Sequence, residues 1–196
     1  MTVNVQKRRR YRVRRMTREL PVEREMSPGR RLYMLLTVIA AAGVFAGAYS
    51  YSGGEINAGG GFVSAFVTSL CSVGIYVLLF FFGGLSAAGQ PMGYILCFFK
   101  GLGTGYLAAY AACAMKSGDV CAALNIFPFE AVSMVTVILG ARENIRMSSY
   151  ISGRSFGASG AASDEGSLRL YLAKFALILL TGIAAAAVRG LMAAVL

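Results

Sequence analysis

The chain contains no histidine among its 196 residues. This absence excludes Ser-His-Asp and Cys-His catalysis, HExxH zinc chemistry and haem ligation through histidine. Acidic residues are scarce as well, with 9 Asp and Glu against 19 Lys and Arg. The four cysteines form no CxxC pair and lie in or beside apolar segments, so we interpret them as small packing residues. The sequence predicts a protein that is not an enzyme and that holds no metal or cofactor.

Long apolar runs dominate what is present, since 57% of the residues are hydrophobic. Five runs are long enough to cross a bilayer core, which takes roughly 20 apolar residues per helix. They are residues 32–49, 62–82, 92–115, 120–141 and 170–196. The runs show no period-two alternation, which excludes a transmembrane barrel. We therefore predict an all-α integral membrane protein, a bundle of about five transmembrane helices.

The rest of the chain predicts the domain organisation. Residues 1–31 form a basic arm, which we expect to be disordered, and residues 32–196 form one transmembrane domain. Residues 142–169 are predicted to be a flexible cytoplasmic loop, which is rich in Ser, Gly and Ala from Ser148 to Ser167. Before that stretch, Ala141 to Met147 are predicted to continue the fourth helix into the cytoplasm. Whether the region 62–115 makes two full spans or a re-entrant pair stays open.

Charge predicts the orientation of the chain. Eight of the twelve residues from Lys7 to Arg18 are Lys or Arg, whereas the connection from Ser50 to Gly61 has neither. The positive-inside rule places the N-terminus in the cytoplasm, and five spans then leave the C-terminus outside. A leading region of 31 residues is long for a signal peptide, so we expect an uncleaved anchor.

The arm has three alternative roles: a topology determinant alone, a contact for anionic lipid head groups, or an arm for a protein or nucleic-acid partner. Lipid contact is worth about 1 kcal/mol per basic residue beside a membrane. The residues predicted for it are Arg8, Arg9, Arg10, Arg12, Arg14 and Arg15. No nucleic acid is expected as a partner.

Two charges fall within predicted spans, where they are costly. Lys100 lies near the middle of the third span and Glu130 near the middle of the fourth, so antiparallel neighbours would place them at similar depth. We predict a Lys100–Glu130 pair, which is either structural, a partner contact or part of an ion path. Lys174 and Arg189, near opposite ends of the last span, are expected to reach their own membrane interfaces.

Small residues and one proline predict how the helices pack. Gly43 and Gly47 form one GxxxG face, and Gly101 and Gly105 form another, which lets helices approach closely. Pro128 removes a backbone donor within the fourth span and is predicted to kink or break that helix near Asn125. Homo-oligomerisation and helix order stay open.

Two stretches point to a family. The stretch FFFGGLSAAGQP at residues 80–91, followed by KGLGTG at residues 100–105, resembles the central signature of the stage II sporulation protein M family. Pro128, Phe129 and Glu130 are similar to a proline-and-acid step in the fourth span of that family. The resemblance covers roughly residues 30–196.

This resemblance implies a multi-pass protein of the mother-cell membrane at the sporulation septum of an endospore-forming bacterium. It also implies a non-catalytic scaffold for engulfment, with stage II sporulation proteins D and P, which degrade septal peptidoglycan, as partners. The alternative from the residues themselves is a transporter or permease component in which Lys100 and Glu130 line a path.

Overall fold

The computed structural model describes residues 28–53, 61–155 and 165–195. The chain divides into two compact units, Met1–Arg31 and Leu32–Leu196. Residues 28–31 are the described part of the first unit, and they belong to the first turn of a helix.

The regular structure of the described residues is entirely α-helical. The helices are α1 (Pro28–Tyr49), α2 (Phe62–Gly84), α3 (Gly89–Lys116), α4 (Val120–Ser155) and α5 (Glu165–Val195). All five are long and apolar enough to span a membrane, which confirms the predicted class of helices. The region 62–115 contributes two such helices, and neither is short enough to suggest a re-entrant hairpin.

The fourth helix is longer than predicted. It runs 36 residues, through the predicted continuation over Ala141 to Met147 and on to Ser155. Because α5 already begins at Glu165, most of the predicted loop 142–169 is helical, and the bounds of that loop were wrong. The physical reason is that this segment has partners elsewhere in the bundle: Glu143 pairs with Lys174 of α5 at 2.8 Å, and the Ser148 hydroxyl donates to the carbonyl of Ala87 at 3.2 Å. At 1.5 Å rise per residue α4 is roughly 54 Å long, well beyond a 30 Å core.

Two short turns make sequential helices antiparallel neighbours. Helix α3 ends in a Schellman motif, in which Gly118 has φ +93° and the amide of Asp119 donates to the carbonyl of Ala114 at 2.9 Å. Residues 85–88 join α2 to α3, and the Ser86 hydroxyl donates to the carbonyl of Gly83 at 3.0 Å. We call the end of the bundle at residues 85–88 the turn end and the end at Gly118 the opposite end.

The core lies where four helices meet. Helix α4 packs against α2, α3 and α5, and α2 also packs against α3 and α5. Fully buried side chains at the centre include Val73, Phe80, Cys97 and Val137. Helix α1 joins this core through Leu36, whose carbonyl oxygen lies 3.7 Å from the sulfur of Cys97.

Large apolar side chains also cover the exterior. Phe45, Val63, Phe82 and Leu177 are each at least 63% exposed. Water-soluble proteins rarely expose so many large apolar side chains on helix after helix. Together with the length of the five helices, this exterior indicates a multi-pass membrane protein.

Candidate functional site

Lys100 and Glu130 lie together between α3 and α4. The Lys100 Nζ atom is 2.9 Å from Glu130 Oε2, and the two side chains are 5% and 6% exposed. Each charge therefore faces the other where neither has access to bulk solvent. Mutual attraction offsets the desolvation that each would suffer alone.

Two hydroxyl groups complete this cluster, and sequence reasoning missed both. The Thr104 hydroxyl donates to Glu130 Oε2 at 2.8 Å, and the Ser133 hydroxyl lies 3.4 Å from the same oxygen. Their positions carried a signal, because Thr104 is one turn after Lys100 and Ser133 is one turn after Glu130 on the same helix faces. We call Lys100, Thr104, Glu130 and Ser133 the buried cluster.

The four predicted glycines lie in one contact between α1 and α3. A Cβ added to Gly47 would meet the backbone of Leu102, and one added to Gly105 would meet the backbone of Val44. Likewise Gly43 and Gly101 face each other, with a Cβ on Gly101 lying 3.2 Å from the Cα of Gly43. The two GxxxG faces therefore pack on each other, backbone against backbone.

Helix α4 is continuous through Pro128, so the alternative of a broken helix is wrong. Pro128 has no backbone N–H, so the helix lacks the one hydrogen bond that this group would donate to the carbonyl of Leu124. The remaining backbone hydrogen bonds keep the helix intact. A kink stays a prediction. The carbonyl that Pro128 frees is an acceptor, so the Oδ1 atom of Asn125, also an acceptor, cannot pair with it; this atom is buried and has no hydrogen-bond partner among the described residues.

A second charged group lies toward the turn end. Glu143 Oε2 is 2.8 Å from Lys174 Nζ on α5, and Glu143 Oε1 is 3.2 Å from Arg142 and 3.5 Å from Arg146. Arg142 also donates to the hydroxyl of Tyr33 on α1 at 2.8 Å and covers its ring at 4.4 Å. One carboxylate thus joins three cations and, through Arg142, links α1, α4 and α5.

The prediction that Lys174 and Arg189 extend to their own membrane interfaces stays a prediction, but the structure gives both side chains partners on other helices. Lys174 pairs with Glu143. Arg189 turns inward, where its Nη1 donates to the Ser69 hydroxyl at 3.1 Å and its guanidinium lies 4.9 Å from the ring centre of Phe129. Partners on other helices hold both side chains within the bundle. These contacts could not be predicted by considering each span separately.

The α2–α3 turn, which carries the family-like signature, lies against α4 and α5. The carbonyl of Ala87 accepts from the Ser148 hydroxyl at 3.2 Å, and the Tyr171 hydroxyl donates to the carbonyl of Phe81 at 2.8 Å. Asn144 is fully buried here, and neither of its side-chain polar atoms has a partner among the described residues. A Cβ on Gly89 would lie 2.8 Å from Asn144 Oδ1, so glycine is needed for this close approach.

Some predicted residues lie outside this description. Arg8, Arg9, Arg10, Arg12, Arg14 and Arg15 fall outside the described residues. Within the described part of the chain, no group of three or more His, Cys, Asp or Glu could hold a metal ion. The four cysteines are free thiols, including Cys113 and Cys121 on either side of the α3–α4 turn.

In comparisons with known proteins, no family model, no curated protein and no solved structure matches this chain. The chemistry of the site therefore rests on its geometry. Its charged groups pair with one another across helices, so the arrangement holds α1, α3, α4 and α5 together.

Proposed function

We propose that the protein is a non-catalytic membrane scaffold that anchors peptidoglycan-degrading proteins at the sporulation septum during engulfment. The observation that carries the proposal is the buried cluster, in which Lys100 and Glu130 neutralise each other at 2.9 Å. Intramembrane charges that are paired and buried hold helices together, and they are not free to bind a solute.

The glycine contact between α1 and α3 supports the same interpretation. Helices that meet backbone against backbone slide or separate only with the loss of many close contacts. A bundle joined by Gly47 and Gly105 on one side and by the buried cluster on another is built to stay in one arrangement. A stable arrangement suits a protein that holds partners in place.

The identity of the partners follows from the resemblance to the stage II sporulation protein M family. Its signature covers the α2–α3 turn and the first half of α3, including Lys100. By this resemblance the partners are stage II sporulation proteins D and P, and the location is the mother-cell membrane of an endospore-forming bacterium.

The proposed contact surfaces lie at the opposite end of the bundle. They are the described residues of the Ser50–Gly61 connection, 50–53 and 61, and the stretch Lys116–Asp119, which by the positive-inside rule face the outer side, where the cell wall lies. Ser52 and Ser117 are exposed at this end, whereas Ser149 is exposed on α4 near the turn end.

Site-specific photo-cross-linking tests the proposal. A photoreactive residue is placed at Ser52, at Ser117 or, as the matched control, at Ser149, and sporulating cells are illuminated. We expect the two peptidoglycan-degrading partners to be captured from Ser52 or Ser117 and not from Ser149. Capture of neither partner at the two outer positions, or equal capture from all three, would overturn the scaffold.

A second candidate is a transporter component, favoured by the presence of an intramembrane carboxylate beside a lysine. A proton path through Glu130 would make proton uptake by proteoliposomes depend on that carboxyl. Replacing Glu130→Gln would then abolish uptake, measured with an internal pH-sensitive dye. Uptake at the level of empty liposomes for the unaltered protein excludes this candidate.

A further inference from the structure

A groove lies between α4 and α5 in the half of the bundle near the opposite end. Its volume is about 350 Å³, and most of its wall is apolar. The wall includes Pro128, Val132 and Val188 together with Asn125 and Arg189. The groove is separate from the buried cluster and from the charged group around Glu143.

Arg189 is the charged residue of this groove, and its positive charge is not balanced. Within the described residues no carboxylate lies within salt-bridge distance of it. Glu130 is near enough to act on it electrostatically, but Glu130 Oε2 already accepts from Lys100 and Thr104. One carboxylate therefore serves two cations, which leaves a net positive charge within apolar surroundings. Such a charge is stabilised by an added anion.

The hydrogen-bonding capacity of the groove is also incomplete. The Nε donor of Arg189 and the Oδ1 acceptor of Asn125 are both buried and without partners in the described part of the chain. Pro128 leaves the carbonyl of Leu124 without its usual helical donor. Unsatisfied buried polar groups cost free energy, so a ligand that offers both an acceptor and a donor would be favoured here.

The depth of Arg189 matches the border of a membrane. It lies about 9 Å of helix rise before Val195, the last described residue of α5. Centring this 31-residue helix, about 46 Å long, on a hydrocarbon core of about 30 Å leaves about 8 Å beyond the core at each end, and Arg189 then lies near the level of lipid glycerol and phosphate groups. Apolar side chains such as Val132 continue the groove away from that level.

We propose that this groove binds one anionic glycerophospholipid. The phosphate accepts hydrogen bonds from the guanidinium of Arg189, a head-group hydroxyl donates toward Asn125, and one acyl chain lies along Val132 and Val188. Charge complementarity favours this occupant, because its phosphodiester supplies the missing negative charge. Its acyl chain packs against the apolar wall of the groove.

Lipid-dependent thermal stability of the purified full-length protein in neutral detergent tests the proposal. Phosphatidylglycerol should raise the melting temperature with saturable concentration dependence, whereas phosphatidylcholine and inorganic phosphate should not. Arg189→Gln should raise the half-saturating phosphatidylglycerol concentration about tenfold, as expected for loss of a charge-assisted bond. Lys116→Gln, an exposed cation at the same end of the bundle, should leave it unchanged.

A second variant keeps the test decisive if Arg189→Gln does not fold. Ala184 lines the groove and is exposed, so Ala184→Phe fills the groove and leaves the charge in place. We expect this variant to lose the phosphatidylglycerol shift, and Ala194→Phe, an exposed position on α5 that does not line the groove, to keep it. An equal shift from phosphatidylcholine or inorganic phosphate, or an unchanged shift in Ala184→Phe, would overturn the assignment.

Discussion

The contribution of the Lys100–Glu130 pair to stability can be measured by replacing each residue separately. We predict that the two replacements lower the free energy of unfolding by different amounts. Glu130→Gln leaves the Lys100 ammonium, 5% exposed, without a counter-charge. Breaking a buried pair in this way costs about 3–5 kcal/mol. Among the described residues no other carboxylate lies within salt-bridge distance of Lys100, so we expect the free energy of unfolding to fall by about 3 kcal/mol or more.

Lys100→Met should cost less. Glu130 then keeps the hydroxyl of Thr104 as a donor at 2.8 Å, and a buried carboxyl can take up a proton and become neutral. We expect a loss of about 1.5–2 kcal/mol, the lower part of the range of about 1.5–3 kcal/mol for a lost hydrogen bond to a charged group. The double variant should lose no more than Glu130→Gln alone, so the coupling energy is at least as large as the loss from Lys100→Met, about 1.5–2 kcal/mol.

Sodium dodecyl sulfate titration in mixed micelles, followed by circular dichroism, supplies these free energies of unfolding. Lys116→Met is the matched control, because Lys116 is exposed at the end of α3, and its effect should stay within about 0.5 kcal/mol. If the losses from Glu130→Gln and Lys100→Met add within about 0.5 kcal/mol, the two residues are not coupled and the proposed stabilising role of the buried cluster is refuted.

Three other outcomes are expected. Gly105→Leu should lower the free energy of unfolding by about 2–3 kcal/mol in the same titration, because the new side chain would meet the backbone of α1. Gly103→Ala should change it by less than about 0.5 kcal/mol, because nothing lies within 4 Å of a Cβ added there. Equal losses would contradict the glycine contact. Tyr171→Phe should cost about 1 kcal/mol in unfolding free energy through loss of its bond to α2, and no loss would mean that this bond is not formed. In a background without the native cysteines, Ser117→Cys should react with an impermeant maleimide on intact cells and Ser149→Cys only after permeabilisation; the reverse pattern would invert the proposed orientation.

The five helices were predictable because each carries its own signal, a run of apolar residues long enough for a bilayer core. The start of α4 and its continuation to Met147 were predicted, but its end at Ser155 was not, because much of the segment after Met147 is polar and its partners lie elsewhere. The hydroxyl groups of Ser148 and Ser152 both donate to the carbonyl of Ala87 in the α2–α3 turn. A polar segment whose partners lie far away along the chain resembles a loop when it is considered alone.

The candidate site was predictable to a similar degree. Depth along antiparallel helices placed Lys100 opposite Glu130, and helical spacing could also have indicated Thr104 and Ser133. The inward course of Arg189 was not accessible, because Ser69 and Phe129 lie on two other helices and nothing in the sequence of α5 specifies which neighbours it has. Similarly, each GxxxG face was evident in the sequence, but their mutual contact was not.

The separation of Lys100 and Glu130 onto consecutive helices has a consequence for biosynthesis. The lysine leaves the ribosome first, and its counter-charge follows 30 residues later, after the tight turn at Gly118. Entry of α3 by itself would expose an unneutralised ammonium to hydrocarbon, which is costly. The insertion machinery is therefore expected to retain α3 until α4 has been synthesised and to release both as a helical hairpin whose charges already cancel.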